Sequence, residues 1–166
     1  MNFKEFYEGE ERRKSGTYVS AVFTKDTINR LNAWAEEQNF GPGSSLTKMD
    51  SYHCTIIYSR KTLDDEVLIN RFVQYDCEPT HFSIFPYNEN SKCVVMELKA
   101  RDLTKIHNDM IAHGATHDYP DFKPHVTIAI DVQSDFKTDV LEVPKFHLMT
   151  LKIKSEPHDL NWDDKE

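Results

Sequence analysis

The chain has 166 residues and a formal net charge of −8, from 28 acidic and 20 basic side chains. Binding to a long polynucleotide rests largely on Lys and Arg neutralising many phosphates, so this balance argues against such a partner. It leaves room for a small anionic ligand held in a local positive pocket. The length and a hydrophobic fraction of 39% predict one globular domain. No stretch approaches the roughly 20 apolar residues of a membrane span, and the N-terminus lacks an apolar signal core, so a cytoplasmic protein with no membrane partner is expected. Cys54, Cys77 and Cys93 form an odd set without metal-ligand spacing and read as buried free thiols.

In chain order, residues 1–16 are a charged lead-in in which Arg12, Arg13 and Lys14 follow Glu8, Glu10 and Glu11. The domain is expected to run from residue 17 to 166. Residues 17–23 alternate as a strand, with Tyr18, Ser20 and Val22 on one face. A helix is predicted over 24–38, capped by Thr24 or Asp26 and turning Ile28, Leu31, Ala35 and either Ala33 or Trp34 inward. Residues 40–45 are the clearest loop. A second helix is predicted over 63–75, with Val67, Leu68, Arg71 and Phe72 inward and Pro79 closing it. Residues 81–87 and 92–98 then read as a hairpin. A third helix covers 101–113, with Leu103, Ile106 and Met110 inward and Gly114 at its end. A last strand is expected over 145–154.

Two stretches concentrate the chemistry: Tyr52-His53-Cys54-Thr55-Ile56-Ile57 and Pro124-His125-Val126-Thr127-Ile128-Ala129-Ile130. Each places His-x-Thr at the start of a strand-like apolar run. Residues i and i+2 of a strand share a face, so His53 stands beside Thr55 and His125 beside Thr127, while Cys54 and Val126 point the other way. One such pair is commonplace. Two copies are a sharper signal, and the prolines of Tyr119-Pro120-Asp121-Phe122-Lys123-Pro124 restrict the approach to the second.

A paired imidazole and hydroxyl suit phosphoester cleavage through a neighbouring ribose hydroxyl. One histidine removes the proton of the attacking 2′-hydroxyl and the other protonates the departing 5′-oxygen, leaving a 2′,3′-cyclic phosphate. The two threonines donate to the non-bridging oxygens as charge builds there. Which histidine is the base is open at this level. The scheme calls for no metal and no cofactor.

These motifs resemble those of the 2H phosphoesterases, named for two His-x-Thr/Ser motifs. His53, Thr55, His125 and Thr127 match the tetrad, and Phe122-Lys123-Pro124-His125-Val126-Thr127 is similar to the second motif in full. The resemblance spans residues 17–155. It implies an α+β, bilobal, single-domain fold in which two antiparallel sheets with flanking helices surround a central cleft. Small size and acidic balance resemble, more narrowly, the phage anti-CBASS phosphodiesterases, which degrade the cyclic oligonucleotide messengers of a bacterial immune pathway. The implied substrate is a small cyclic oligonucleotide containing adenine. Two competing readings are processing of 2′,3′-cyclic or 2′–5′ RNA ends, and a non-catalytic nucleotide sponge; the intact double motif disfavours the sponge.

Four further residues are candidates for holding substrate. Trp162, in an acidic tail, either stacks on a base or pins the tail to the body. Glu156 is placed to accept from an adenine amino group. Tyr18 is a second stacking candidate, and Lys123 either steers the phosphate or is a solvated surface lysine. His113 and His117 have the spacing of helical metal ligands, but Gly114 interrupts them and no carboxylate or cysteine pattern accompanies them.

Overall fold

In the computed structural model, residues 15–40, 47–49, 51–63, 70–118, 121–133 and 136–159 are described. The first strand, β1 (Ser15–Phe23), begins two residues ahead of the alternation read from sequence. It buries Val19, Ala21 and Phe23 on one face and leaves Tyr18 and Val22 half-buried on the other. Helix α1 (Lys25–Glu37) starts at Thr24, whose side chain accepts from the Thr27 backbone N–H. It buries Thr27, Leu31, Trp34 and Ala35. Trp34 donates its indole N–H to the Glu142 carbonyl at 2.7 Å and stacks on Phe82, so this large side chain is core with its polar edge satisfied.

The remaining strands are β2 (Thr47–Lys48), β3 (His53–Ser59), β4 (Arg71–Phe72), β5 (Asp76–Pro86), β6 (Lys92–Lys99), β7 (His125–Val132) and β8 (Leu148–Asp159). Helix α2 (Arg101–Ala112) buries Leu103, Ile106, His107 and Met110 and packs on β3. It stops where Gly114 takes a positive φ of 101°, a backbone state that costs glycine little.

The strands form two antiparallel groups. One orders β3-β1-β8-β4 and the other β5-β6-β7-β2. They are joined where Asp76 and Cys77 of β5 pair with Met149 and Leu148 of β8. The expected two lobes are therefore joined into one hydrogen-bonded sheet. It curls until β3, at one end, approaches β7 near the other. The chain also crosses over: after α1 it adds β2 to β7 in the second lobe before returning as β3.

The helix predicted over 63–75 is not what its described part forms. Arg71 and Phe72 pair with Ile153 and Lys152, and Val73 N–H reaches the Leu151 carbonyl at 3.2 Å. Thr150 holds Tyr75 from both its backbone and its hydroxyl. The open edge of β8 offers this segment partners that its own helical spacing cannot match; Val67 and Leu68 lie outside the described residues. Pro79 accordingly ends no helix. It sits buried inside β5 next to a register shift, a position where a strand tolerates a missing N–H donor. The 81–87/92–98 hairpin is present with a longer first strand, and the last strand runs on to Asp159.

Candidate active site

The two His-x-Thr strands repeat one pattern of exposure. His53 and Thr55 are half-buried while Cys54, Ile56 and Ile57 are buried, and Tyr58 is half-buried again. His125, Thr127 and Ile130 alternate with buried Val126, Ile128 and Ala129 in the same way. The reason is a bulge at the same place in each. Ser20 pairs with Thr55 and Val19 with Ile57, so Ile56 is the extra residue opposite β1. Val95 pairs with Thr127 and Val94 with Ala129, so Ile128 is the extra residue opposite β6. A bulge turns the strand by one residue. It therefore brings Tyr58, rather than Ile57, to the face that carries His53 and Thr55.

The motif strands touch through their opposite faces as well. The Cys54 thiol lies in hydrogen-bonding contact with the His125 backbone, and burial pushes its pKa up to about 12. It stays a neutral packing group. Cys77 and Cys93 are also free, buried thiols, but Cys93 faces the cleft next to Thr127.

Each histidine is tuned by its surroundings. Burial lowers the His53 pKa below its ordinary value, and the charge of His125 lowers it further. Burial also lowers that of His125, opposed by the Lys123 carbonyl and by Glu97. His125 Nδ1 lies 2.7 Å from that carbonyl. A carbonyl only accepts, so Nδ1 carries the hydrogen and Nε2 is left for chemistry. Glu97 is the direct partner of His125 across β6 and β7, and its carboxylate also takes hydrogen bonds from Ser83 and from His81. Phe85 meets the His125 ring edge-on at 5.0 Å.

Around this face lies a cleft of about 510 Å³, lined among others by Thr55, Tyr58, Phe85, Lys123, His125 and Thr127. A larger depression of about 660 Å³ at the β5–β6 turn contains neither motif. One wall of the cleft is the loop before β7, and three ties hold it. Arg60 bonds Asp118 with two nitrogens at 3.1 Å, and its backbone N–H donates to Thr116 Oγ1 at 2.7 Å. Beneath, the His107 ring stacks on Phe122 at 4.2 Å while its Nδ1 donates to the Ile56 carbonyl at 2.8 Å.

Of the four substrate candidates, Tyr18 adjoins the first motif: its hydroxyl lies 2.9 Å from Thr55 Oγ1, and its ring meets His53 edge-on. Burial raises its pKa, so it remains a neutral hydrogen-bonding group. Glu156 is the direct partner of Tyr18 across β1 and β8 and pairs with Lys154 at 3.4 Å. Lys123 lines the cleft, and its carbonyl orients His125. Trp162 and the basic cluster Arg12, Arg13 and Lys14 lie outside the described residues. His113 and His117 are turned to separate partners, the Asp109 carbonyl and the His107 ring. Among the described residues, no three His, Cys, Asp or Glu side chains gather as a metal site.

Sequence reading missed Tyr58, Phe85, Glu97 and His107. No local signal marks the first three, because cross-strand register selects them; His107 is detectable only as a polar residue at a core spacing of α2.

The family described as "Anti-CBASS protein Acb1" matches residues 15–165. The chain belongs to that family. Among its similar proteins is the Acb1 of Vibrio phage KVP40, 36% identical over 68% of this chain and 70% of its own. The Acb1 of Enterobacteria phage T4 is 28% identical over 99% of this chain and 97% of its own. Acb1 of Salmonella phage S16 is 26% identical over 98% and 96%. Among solved structures, Escherichia coli LigT in its apo form aligns with a TM-score of 0.50 at 12% identity, covering 89% of this chain and 95% of that one. That likeness is one of fold alone. No described helix of this Acb1-family chain is long and apolar enough to cross a membrane.

Proposed function

We propose that this chain is a phosphodiesterase that opens cyclic oligonucleotide messengers and so counteracts CBASS immunity. The observation that carries the reading is the duplicated, bulged His-x-Thr strand in a chain of the anti-CBASS family, with Thr55, His125 and Thr127 lining one cleft and His53 near enough to His125 to feel its charge.

The reaction needs one base and one acid, and the surroundings of the two histidines favour one division of the roles. His53 has burial and a like charge against its protonated form, which suits the base. Burial lowers the pKa of His125 too, but the Lys123 carbonyl and Glu97 oppose it in favour of the protonated form, which suits the acid. His53 takes the proton of the 2′-hydroxyl as that oxygen bonds to phosphorus. The bond from phosphorus to the 5′-oxygen breaks, and His125 gives that oxygen its proton. The ring becomes a linear oligonucleotide with a 2′,3′-cyclic phosphate at one end and a 5′-hydroxyl at the other. Thr55, steadied by Tyr18, and Thr127 donate to the non-bridging oxygens. Adenine is the proposed base, with Glu156 accepting from its amino group, Trp162 stacking on it, and Lys123 attracting the phosphate.

The test is product analysis in excess EDTA with cyclic di- and triadenylate and an RNA ending in a 2′,3′-cyclic phosphate. Linearised rings are the expected result. Opening of the RNA end alone would move the assignment to RNA processing, and retention without turnover would leave a nucleotide sponge.

A further inference from the structure

Four residues stand in one row across the first lobe. His53 pairs with Val22, Val22 with Lys152, and Lys152 with Phe72, crossing β3, β1, β8 and β4. Directly opposed residues of antiparallel strands share a face. Phe72 therefore stands on the same face as the first motif histidine. The next rows add Lys154, opposite Ser20 and Thr55, and then Glu156, opposite Tyr18 and Tyr58.

Phe72 is 76% exposed, in a two-residue strand that buries neither of its side chains. The Lys152 ammonium lies 5.8 Å from its ring centroid. An edge strand is commonly guarded by charge. A bare phenyl ring does the opposite unless something stacks on it. A ring with a cation over one face, on a chain of net charge −8, is suited to a nucleobase whose phosphate draws that cation to itself.

We propose that Phe72 and Lys152 form a second nucleotide subsite, in which the ring stacks on a base distant from the scissile bond and Lys152 meets the adjoining phosphate. The proposal rests on the phosphodiesterase reading and extends it to the part of the substrate that does not react. Three strand spacings, about 14 Å, separate Phe72 from His53 along the sheet. A mononucleotide seated on the tetrad does not bridge that gap, whereas a ring of two or three nucleotides reaches across it. The subsite thus selects for ring size beyond one nucleotide, and its sequence tolerance is that of stacking rather than of hydrogen-bonded readout.

The experiment measures equilibrium binding of cyclic di- and triadenylate, and of 2′,3′-cyclic AMP, to the full chain made inactive by H53A and H125A. Adding F72A is expected to weaken ring binding roughly 5- to 150-fold, the range of one lost base stack, and to leave 2′,3′-cyclic AMP unchanged. K152A should weaken the rings in the same selective way, with a shallower salt dependence. F72W should bind the rings like the parent and show indole quenching on their addition. Phe72 is exposed, so an unchanged melting temperature separates lost binding from lost folding. Equal ring affinity with and without F72A overturns the subsite alone. Failure of the parent to bind either class of probe overturns the phosphodiesterase reading and the subsite with it.

Discussion

Glu97 and His125 are direct cross-strand partners, and the carboxylate of Glu97 is held by Ser83 and His81 while its charge acts on the imidazole of His125. Glu97 is thus a positioning residue. In the proposed mechanism His125 is the acid and must carry its proton, so activity is expected to fall as pH rises through its pKa. Removing the nearby negative charge lowers that pKa. E97Q should therefore move the falling limb of the kcat/KM profile to lower pH, with the rising limb unmoved. A profile that falls at the same pH in both proteins would show that Glu97 serves only the packing of β5 and β6.

The tetrad itself should be indispensable for turnover and dispensable for folding, since all four residues are half-buried. H53A and H125A are expected to abolish ring opening with little change in melting temperature. T55A and T127A should each lower kcat on the order of 10²–10³, the usual cost of one lost oxyanion donor. Normal turnover by either histidine variant would refute the two-histidine mechanism.

Tyr18 contributes through Thr55, to which its hydroxyl is bonded at 2.9 Å. Y18F keeps the ring against His53 and removes the hydroxyl, whose bond to Thr55 is worth about 1 kcal/mol. It should reduce kcat about fivefold while leaving KM close to the parent's; Y18A should raise KM too. Equal kinetics for Y18F and parent would assign the hydroxyl no part in orienting Thr55.

His107 links the two motifs from beneath, bonding the Ile56 carbonyl of β3 and stacking on Phe122 ahead of β7. H107A leaves a buried carbonyl unpaired and should cost about 1–3 kcal/mol of stability. The folded pKa values of His53, His107 and His125 all lie below the ordinary value, chiefly through burial. As pH falls below about 6.5 the unfolded chain takes up these protons before the folded one does. Stability is therefore full above that pH and declines below it, until the folded pKa values are passed. Urea midpoints at pH 7.5 and 5.5 test this, and H107A should show the smaller decline.

The chemistry of this protein is legible in its sequence because it is local. A strand alternates with a period of two, so His53 with Thr55 and His125 with Thr127 need nothing beyond their own segments to share a face. Helices α1 and α2 are legible for the same reason, each carrying its apolar stripe and its end signals within one run of residues. What depends on partners is not legible. Residues 71–72 join the edge of β8 instead of extending a helix, because the hydrogen bonds offered there belong to a segment some eighty residues later. The bulges at Ile56 and Ile128 arise from register with β1 and β6, and the first of them brings Tyr58 to the cleft. Glu97 meets His125, and Phe72 joins the row of His53, only once strands far apart in the chain are paired. Side-chain direction follows from local backbone period; neighbourhood across a sheet follows from register, and register is a property of the whole fold.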